Sequence, residues 1–404
     1  MPFSRPSALR EELRRTFPER PFGVRLWDGS ELPPTTSGRV VPTFTVRSPR
    51  AITHLLRAPG QLGLARAYVS GELELEDLDA VAVLLKSWSP PPLDRAAKRR
   101  LAAAAVKAAG LSALPPIPEA ELRPEGLRHS LRRDDRAVRH HYDLSNAFFA
   151  LFLDDSMTYS CAIFETPEQS LQEAQANKLE TVCSKLELQP GMRVLDVGCG
   201  WGAFALHAAT HHDVHVTGIT LSPEQAAEAS SRVAAAGLAD RIELRVQDYR
   251  ELQGETFDAV ASIGMVEHVG EVNIDAYAAT LAAALEPGGW LLNHGIARLR
   301  HGDPEAGPFS ERYVFADAAP LHLSRILFAL EAAGLAVRHA EGYPEHYART
   351  LTRWLENLEA DLPEAERLVG AERLRVWRLY LRGARNGFET GFMSVFQVRA
   401  RKPG

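Results

Sequence analysis

Arg193-Val194-Leu195-Asp196-Val197-Gly198-Cys199-Gly200-Trp201-Gly202 decides how this chain is read. Three branched apolar residues, Val194, Leu195 and Val197, lead through Asp196 into a Gly-x-Gly-x-Gly run. The alanine-rich segment Ala203 to Ala209 comes next. The pattern predicts a buried parallel strand, a tight glycine turn and a helix. A nucleotide-like ligand fits against such a turn. Glycines let the backbone come close, and the start of the next helix presents free N–H groups.

Working outward, residues 139–404 alternate strand and helix, the mark of a doubly wound α/β domain. Strands are expected at Val194–Val197, Val214–Thr220, Ile242–Gln247, Phe257–Ile263, Trp290–Gly295 and Phe392–Ala400. Helices are expected at Gln172–Leu186, Glu224–Ala236, Ile274–Leu285 and Leu321–Ala333, with Pro287-Gly288-Gly289 as a turn before a strand. Residues 1–88 read as a smaller α+β domain. An Asp28-Gly29-Ser30 turn there separates short extended pieces, and helices are expected over Ile52–Leu56, Leu62–Val69 and Leu78–Leu85. Between the two, residues 89–138 read as a linker broken by Pro90-Pro91-Pro92 and Pro115-Pro116, carrying one amphipathic helix over Arg95–Ala109.

Composition bounds the function. The chain has 404 residues, 45% apolar and 24% charged, which suits a globular protein of two domains. No apolar run reaches the ~18 residues of a membrane span, and Met1 to Pro6 lacks the apolar core of a secretion signal. Cys161, Cys183 and Cys199 show no spacing that suggests a disulfide framework or a zinc site, so no metal and a reducing cytoplasm are expected. From Leu93 to His141, eleven Lys/Arg stand against six Asp/Glu in a chain whose net charge is −6. Arg95, Lys98, Arg99, Arg100 and Lys107 are placed to face phosphate while Leu101, Val106 and Leu111 pack elsewhere. The stretch is either a solvated helical surface or a patch for anionic lipid head groups. Nucleic acid is not expected, because no aromatic residues interleave with the charges.

The glycine spacing differs from Gly-x-Gly-x-x-Gly, and the strand after it runs into Leu221-Ser222-Pro223-Glu224-Gln225 instead of ending on a ribose-binding acid. Glycines for an amino-acid part, a hydroxyl and an amide for a ribose, and Asp248 beside Tyr249 for an adenine suit S-adenosylmethionine (SAM) better than a nicotinamide cofactor.

Five motifs then carry a resemblance. His141-Tyr142-Asp143-Leu144-Ser145-Asn146, Tyr159-Ser160-Cys161-Ala162, Leu195 to Gly202, Gln247-Asp248-Tyr249-Arg250 and Glu267-His268-Val269-Gly270 resemble the cyclopropane-fatty-acyl-phospholipid synthases, relatives of the mycolic acid cyclopropane synthases. The likeness covers residues 139 to 400 in order, and the first unit looks more loosely like the small lipid-associated domain of the phospholipid-acting members. It implies a Rossmann-like class I SAM-dependent methyltransferase that adds a methylene bridge across a cis double bond of phospholipid acyl chains. Attack by an alkene on a sulfonium methyl builds a carbocation, so the site must exclude water and hold a base. The family resemblance supplies bicarbonate as that base, resting on the Cys161 backbone, Glu267, His294, the Ile296 backbone and Tyr347. It implies a cofactor set of Tyr159, Ser160, Gly198, Gly200, Thr220, Leu221, Gln225, Asp248 and Tyr249. Plainer roles stand beside these: Cys161 as a small buried thiol, Glu267 as a helix cap, His294 as a satisfied core histidine, Tyr347 as a packing residue.

Phe148, Phe149, Phe152, Tyr313 and Phe315 either line an acyl channel or form core. One departure is Ala384, which stands where the family's C-terminal helix often carries a cysteine, so thiol catalysis from that place is excluded. The rival activities are methyl or methylene branching without ring closure and a soluble small-molecule methyltransferase. A lipid-binding protein with an inert SAM fold is a third reading. Peripheral association with a membrane surface, and a homodimer that engages it twice, complete the expectations.

Overall fold

The computed structural model describes residues 6–36, 41–110, 114–122, 133, 145–252, 254–300, 307–315 and 320–404. The chain divides into two compact units. One comprises Met1–Arg123, Gly307–Val314 and Val369–Gly383; the other comprises Pro124–Ala306, Phe315–Leu368 and Ala384–Gly404.

The first unit holds a four-stranded sheet in the order β2-β1-β3-β4, from β1 (Gly23–Arg25), β2 (Glu31–Leu32), β3 (Thr43–Val46) and β4 (Leu73–Leu75). The expected Asp28-Gly29-Ser30 turn closes the first hairpin, with the Leu26 N–H donating to the Ser30 carbonyl at 2.9 Å. Helices Pro49–Arg57, Gln61–Val69 and Leu78–Ser87 follow, close to their expected positions. Helix Arg95–Ala109 forms where the sequence places it, but it groups with this unit instead of standing apart as a linker. The reason is its last turn: Ala108 and Ala109 are buried in the same apolar cluster as Leu9, Leu26 and Ile52. Two details of its amphipathic reading also change. Arg100 pairs with Glu12 at 3.0 Å, and Val106 is 58% exposed among the basic residues instead of packed.

The second unit is built on a seven-stranded sheet. Its strands are β5 (Arg193–Val197), β6 (His215–Thr220), β7 (Ile242–Val246), β8 (Phe257–Ile263), β9 (Leu285–Arg298), β10 (Ala336–Gly342) and β11 (Met393–Arg401). Their order is β10-β11-β9-β8-β5-β6-β7, parallel from β9 to β7 and antiparallel at β11 and β10. Alternation along β5 separates two layers. Leu195 and Val197 join a cluster with Val260, Ile274 and Leu281, while Val194 joins Val216, Leu292, Leu179 and Phe204 on the other face. Each such fully buried side chain contributes about 1.5–3 kcal/mol, so helices cover both faces and the doubly wound architecture follows.

Two elements depart from the sequence reading. Pro287-Gly288-Gly289 is not a turn before the strand but part of β9, at a register shift against β8. The glycine backbones find partners on the residue that follows β11: Gly288 N–H donates to Lys402 O at 2.9 Å, and Lys402 N–H to Gly289 O at 3.0 Å. Strand β10 was not expected, because most of its residues are exposed and no apolar alternation marks it.

Strand β5 lies between β6 and β8, where the strand order reverses. Ligands in such sheets bind beyond the carboxyl ends of the strands at that reversal. The opening stretch therefore ends where a ligand belongs.

Candidate active site

The glycine turn is held against β6. Both the Gly198 and the Cys199 N–H donate to the Ile219 carbonyl, each at 2.9 Å. Gly198 has φ +81°, a conformation that side-chain-bearing residues avoid. The turn delivers the chain to helix Ala203–His212, whose first N–H groups face the carboxyl end of the sheet.

One cavity opens there. Tyr159, Ser160, Gly198, Gly200, Thr220, Leu221, Gln225, Asp248 and Tyr249 all line it. The Thr220 hydroxyl donates to Gln225 Oε1 at 2.9 Å, which fixes the hydroxyl and the amide relative to each other. Asp248 accepts from the Arg250 backbone N–H (2.8 Å) and from its guanidinium (2.8 and 2.7 Å), so its carboxylate is already oriented beside Tyr249. Asp196 lines the cavity as well; burial pushes its carboxyl up to about 7, and its Oδ2 has no hydrogen-bond partner among the described residues. Glycine backbone, one hydroxyl, one amide and an oriented acid beside a ring fit the methionyl, ribose and adenine parts of SAM.

The residues expected around an anion do not line that cavity. They lie by the neighbouring strands, joined by short links. Glu267, in a turn after β8, is buried, and its Oε1 accepts from the Ile296 N–H at 2.9 Å. Burial raises its carboxyl to about 7. His294 sits in β9, level with the carboxyl end of β8, where the Gly264 N–H donates to its carbonyl at 2.8 Å. Its Nδ1 meets Gln397 Nε2 of β11 at 3.2 Å. Burial, followed by Lys178 and Lys185, lowers its pKa to about 3, so the imidazole is neutral at pH 7. Opposite Ile296 in the register is Val395, whose carbonyl accepts from the Tyr343 N–H at 2.8 Å. Tyr343 begins the turn into helix Pro344–Ala360, which carries Tyr347 against Phe388, 4.5 Å between ring centroids. The Cys161 thiol is fully buried, 3.9 Å from the Tyr343 carbonyl, and burial pushes its pKa far up, so it is a neutral thiol and no nucleophile.

Glu267 Oε2 and His294 Nε2 are buried without hydrogen-bond partners among the described residues. An orphaned carboxylate oxygen and an orphaned imidazole nitrogen each cost free energy unless something arrives to bond them. Bicarbonate suits that donor set, since its O–H can donate to a carboxylate while its oxygens accept from an imidazole N–H. The approach of Glu267 depends on Gly295. A Cβ at that position would lie 2.2 Å from Val266 Cγ1 and 3.4 Å from Glu267 Oε2.

Sequence reasoning missed the polar residues behind this site. Lys178 is buried, lines the cofactor cavity and donates to Ser160 Oγ at 3.0 Å; its pKa is lowered to about 8 by burial, against the opposing pull of Asp154, Cys161 and Asp196. Gln175 donates to the Ser160 carbonyl at 2.8 Å. Both fall on the buried stripe of helix Leu171–Lys185, among Leu171, Ala174, Leu179 and Val182. A lysine on an apolar stripe was the available signal. Phe148, Phe149 and Phe152 are fully buried against one another and read as core, while Tyr313 belongs to the first unit, bonded to Glu121 at 3.1 Å. Phe315 stands 5.7 Å from the His268 ring between centroids. His141, Tyr142, Asp143 and Leu144 lie outside the described residues.

Known proteins share this design. Residues 129–398 match the family model for mycolic acid cyclopropane synthetase. A "Probable fatty acid methyltransferase" of Pseudomonas putida is 41% identical over 388 residues, covering 95% of this chain and 92% of that protein. The cyclopropane-fatty-acyl-phospholipid synthase of Escherichia coli strain K12 is 32% identical over 363 residues, covering 90% of this chain and 88% of that one. Among solved structures, the mycolic acid cyclopropane synthase CmaA1 complexed with SAH and CTAB aligns with a TM-score of 0.63 at 33% identity, over 66% of this chain and 98% of that one.

Proposed function

We propose that this chain, which belongs to the mycolic acid cyclopropane synthetase family and is a SAM-dependent methyltransferase, transfers a methylene group from SAM across the cis double bond of unsaturated phospholipid acyl chains. The observation that carries the reading is the pair of orphaned buried atoms, Glu267 Oε2 and His294 Nε2. Attack of an alkene on the sulfonium methyl leaves a carbocation, and ring closure requires removal of a proton from the new methyl, which calls for a base held by polar groups of this kind.

SAM, when bound, supplies an electrophilic sulfonium methyl. The glycine turn holds its methionyl part, and the Thr220–Gln225 pair and Asp248 orient its nucleoside. Bicarbonate, when bound, supplies a proton acceptor. Glu267, anchored by the Ile296 N–H, fixes the orientation of that anion, and the neutral His294, steadied by Gln397, donates to it. Tyr347 and the Cys161 backbone complete the cradle. The aromatics Trp201, Phe149, Tyr159 and Trp354 pack in that order, with centroids 4.9–5.5 Å apart at each step, and supply an apolar wall against water that would trap a carbocation.

No helix among the described residues is long and apolar enough to cross a membrane, so access to acyl chains is by surface association. The exposed Arg95, Lys98, Arg99 and Lys107 of the first unit are the residues for anionic head groups.

A second reading has its own support. Two relatives at 41% and 40% identity carry the description "Probable fatty acid methyltransferase", so a methyl or methylene branch is the alternative product. Incubation with SAM and vesicles of defined monounsaturated phospholipids, followed by proton NMR of the lipid, separates the two. Cyclopropyl ring protons, lost in His294→Ala and in bicarbonate-depleted buffer, are the expected result. Vinylidene or methyl-branch signals would establish the alternative, and SAM consumption only with soluble acceptors would overturn the lipid reading.

A further inference from the structure

Away from the cofactor cavity, the C-terminal ends of two packed helices bring three ligating side chains together, with the Glu180 carboxylate against two of them. Glu180 and Cys183 lie one turn apart on helix Leu171–Lys185; His207 and His212 lie on helix Ala203–His212. The donor atoms of Cys183, His207 and His212 are all within 4.8 Å of one another. Glu180 Oε2 bridges the two imidazoles, 3.1 Å from His207 Nε2 and 3.0 Å from His212 Nε2. His207 and His212 are half-buried, and Cys183 is buried beneath them. None of the four takes part in the methyl-transfer site described above. The spacing of the cysteines gave no hint of this, because the ligands come from two helices and the glycine turn separates them in sequence.

We propose that Cys183, His207, His212 and Glu180 form a Zn2+ site that clamps the two helix ends together. The donor set is one thiol, two imidazoles and one carboxylate, which suits a tetrahedral, borderline-soft ion. Zinc bonds of about 2.0–2.3 Å put ligand atoms roughly 3.5 Å apart, so the thiol and the imidazoles, now within 4.8 Å of one another, close by about an ångström, while Glu180 Oε2 draws back by about half an ångström from its 3.1 and 3.0 Å contacts. Each imidazole offers one nitrogen lone pair and keeps its proton on the other nitrogen. The Cys183 S–H bond breaks as the S–Zn bond forms, and that proton passes to the buffer. The thiolate and the carboxylate then balance the dication's charge.

The test uses full-length, tag-free protein treated with chelator and then titrated calorimetrically with Zn2+ in buffers of different protonation enthalpy. One ion per chain and one proton released per ion are expected. Tm should rise by roughly 5 °C at a hundredfold excess of free Zn2+ over Kd, and Co2+ in place of zinc should show a thiolate charge-transfer band that Cys183→Ser removes. The double variant His207→Gln/His212→Gln should lose at least ~100-fold in affinity while methyl transfer stays unchanged. Because the histidines are only half-buried, that variant remains informative if Cys183→Ser folds poorly. Absence of stoichiometric uptake, or equal affinity in the double variant, would overturn the site and leave the cluster an ion-paired surface feature.

Discussion

Glu267→Gln should inactivate the enzyme and stabilise the fold, and the size of the second effect follows from burial. The ordinary glutamate value is 4.5, and burial lifts the folded group to about 7. Between those two pH values the folded protein holds a proton that the unfolded chain has released. Stability therefore falls as pH rises through this window, by about 1.4 kcal/mol per pH unit. The loss reaches roughly 3 kcal/mol by pH 8, against under about 1 kcal/mol at pH 5. Glutamine removes the titration and keeps the Oε1 acceptor for the Ile296 N–H. Urea denaturation at pH 5 and pH 8, followed by tryptophan fluorescence, should show the variant gaining roughly 3 kcal/mol at pH 8 and little at pH 5. A gain equal at both pH values would mean a packing effect, and no gain at pH 8 would refute the argument that Glu267 is held buried at a cost for chemistry.

Two other perturbations probe the shell. Lys178→Met should raise the KM for SAM about tenfold with a smaller change in kcat, because Ser160 Oγ loses its 3.0 Å partner in the cavity wall; Lys178→Arg should recover part of it, and an unchanged KM would exclude the positioning role. Gly295→Ala should lower the rate about 100-fold and cost about 1–3 kcal/mol, since its Cβ would sit 2.2 Å from Val266 Cγ1 and displace the turn bearing Glu267; steady-state kinetics and thermal melts together would detect either half failing.

Much of the fold was legible because local signals agreed with one another. The strand–turn–helix at Arg193–Gly202, the alternating β and α segments and the Arg95–Ala109 helix all announce themselves by periodicity and by breakers. What escaped was set by long-range pairing. β10 lacks alternation because it is an edge strand with exposed side chains, and Pro287-Gly288-Gly289 joins β9 only because Lys402 supplies partners across the sheet. The helix at Arg95–Ala109 read as a linker because the burial of Ala108 and Ala109 depends on residues far away in sequence. At the site, the cavity residues follow the strand ends and so track sequence motifs. Lys178, Gln175 and Gln397 act from behind, and nothing local distinguishes a lysine that reaches Ser160 from one that reaches water.

Strand β11 has a consequence for the order of assembly. It enters the sheet between β9 and β10, opposite Ile296, and brings Gln397 to His294. On the ribosome β9 emerges long before β11, so the nascent chain passes through a stage in which the cofactor cavity has its walls but His294 has no Gln397 to steady it. Under the proposed function, the residues that line the cofactor cavity are therefore synthesised before the strand that supplies the side-chain partner of His294.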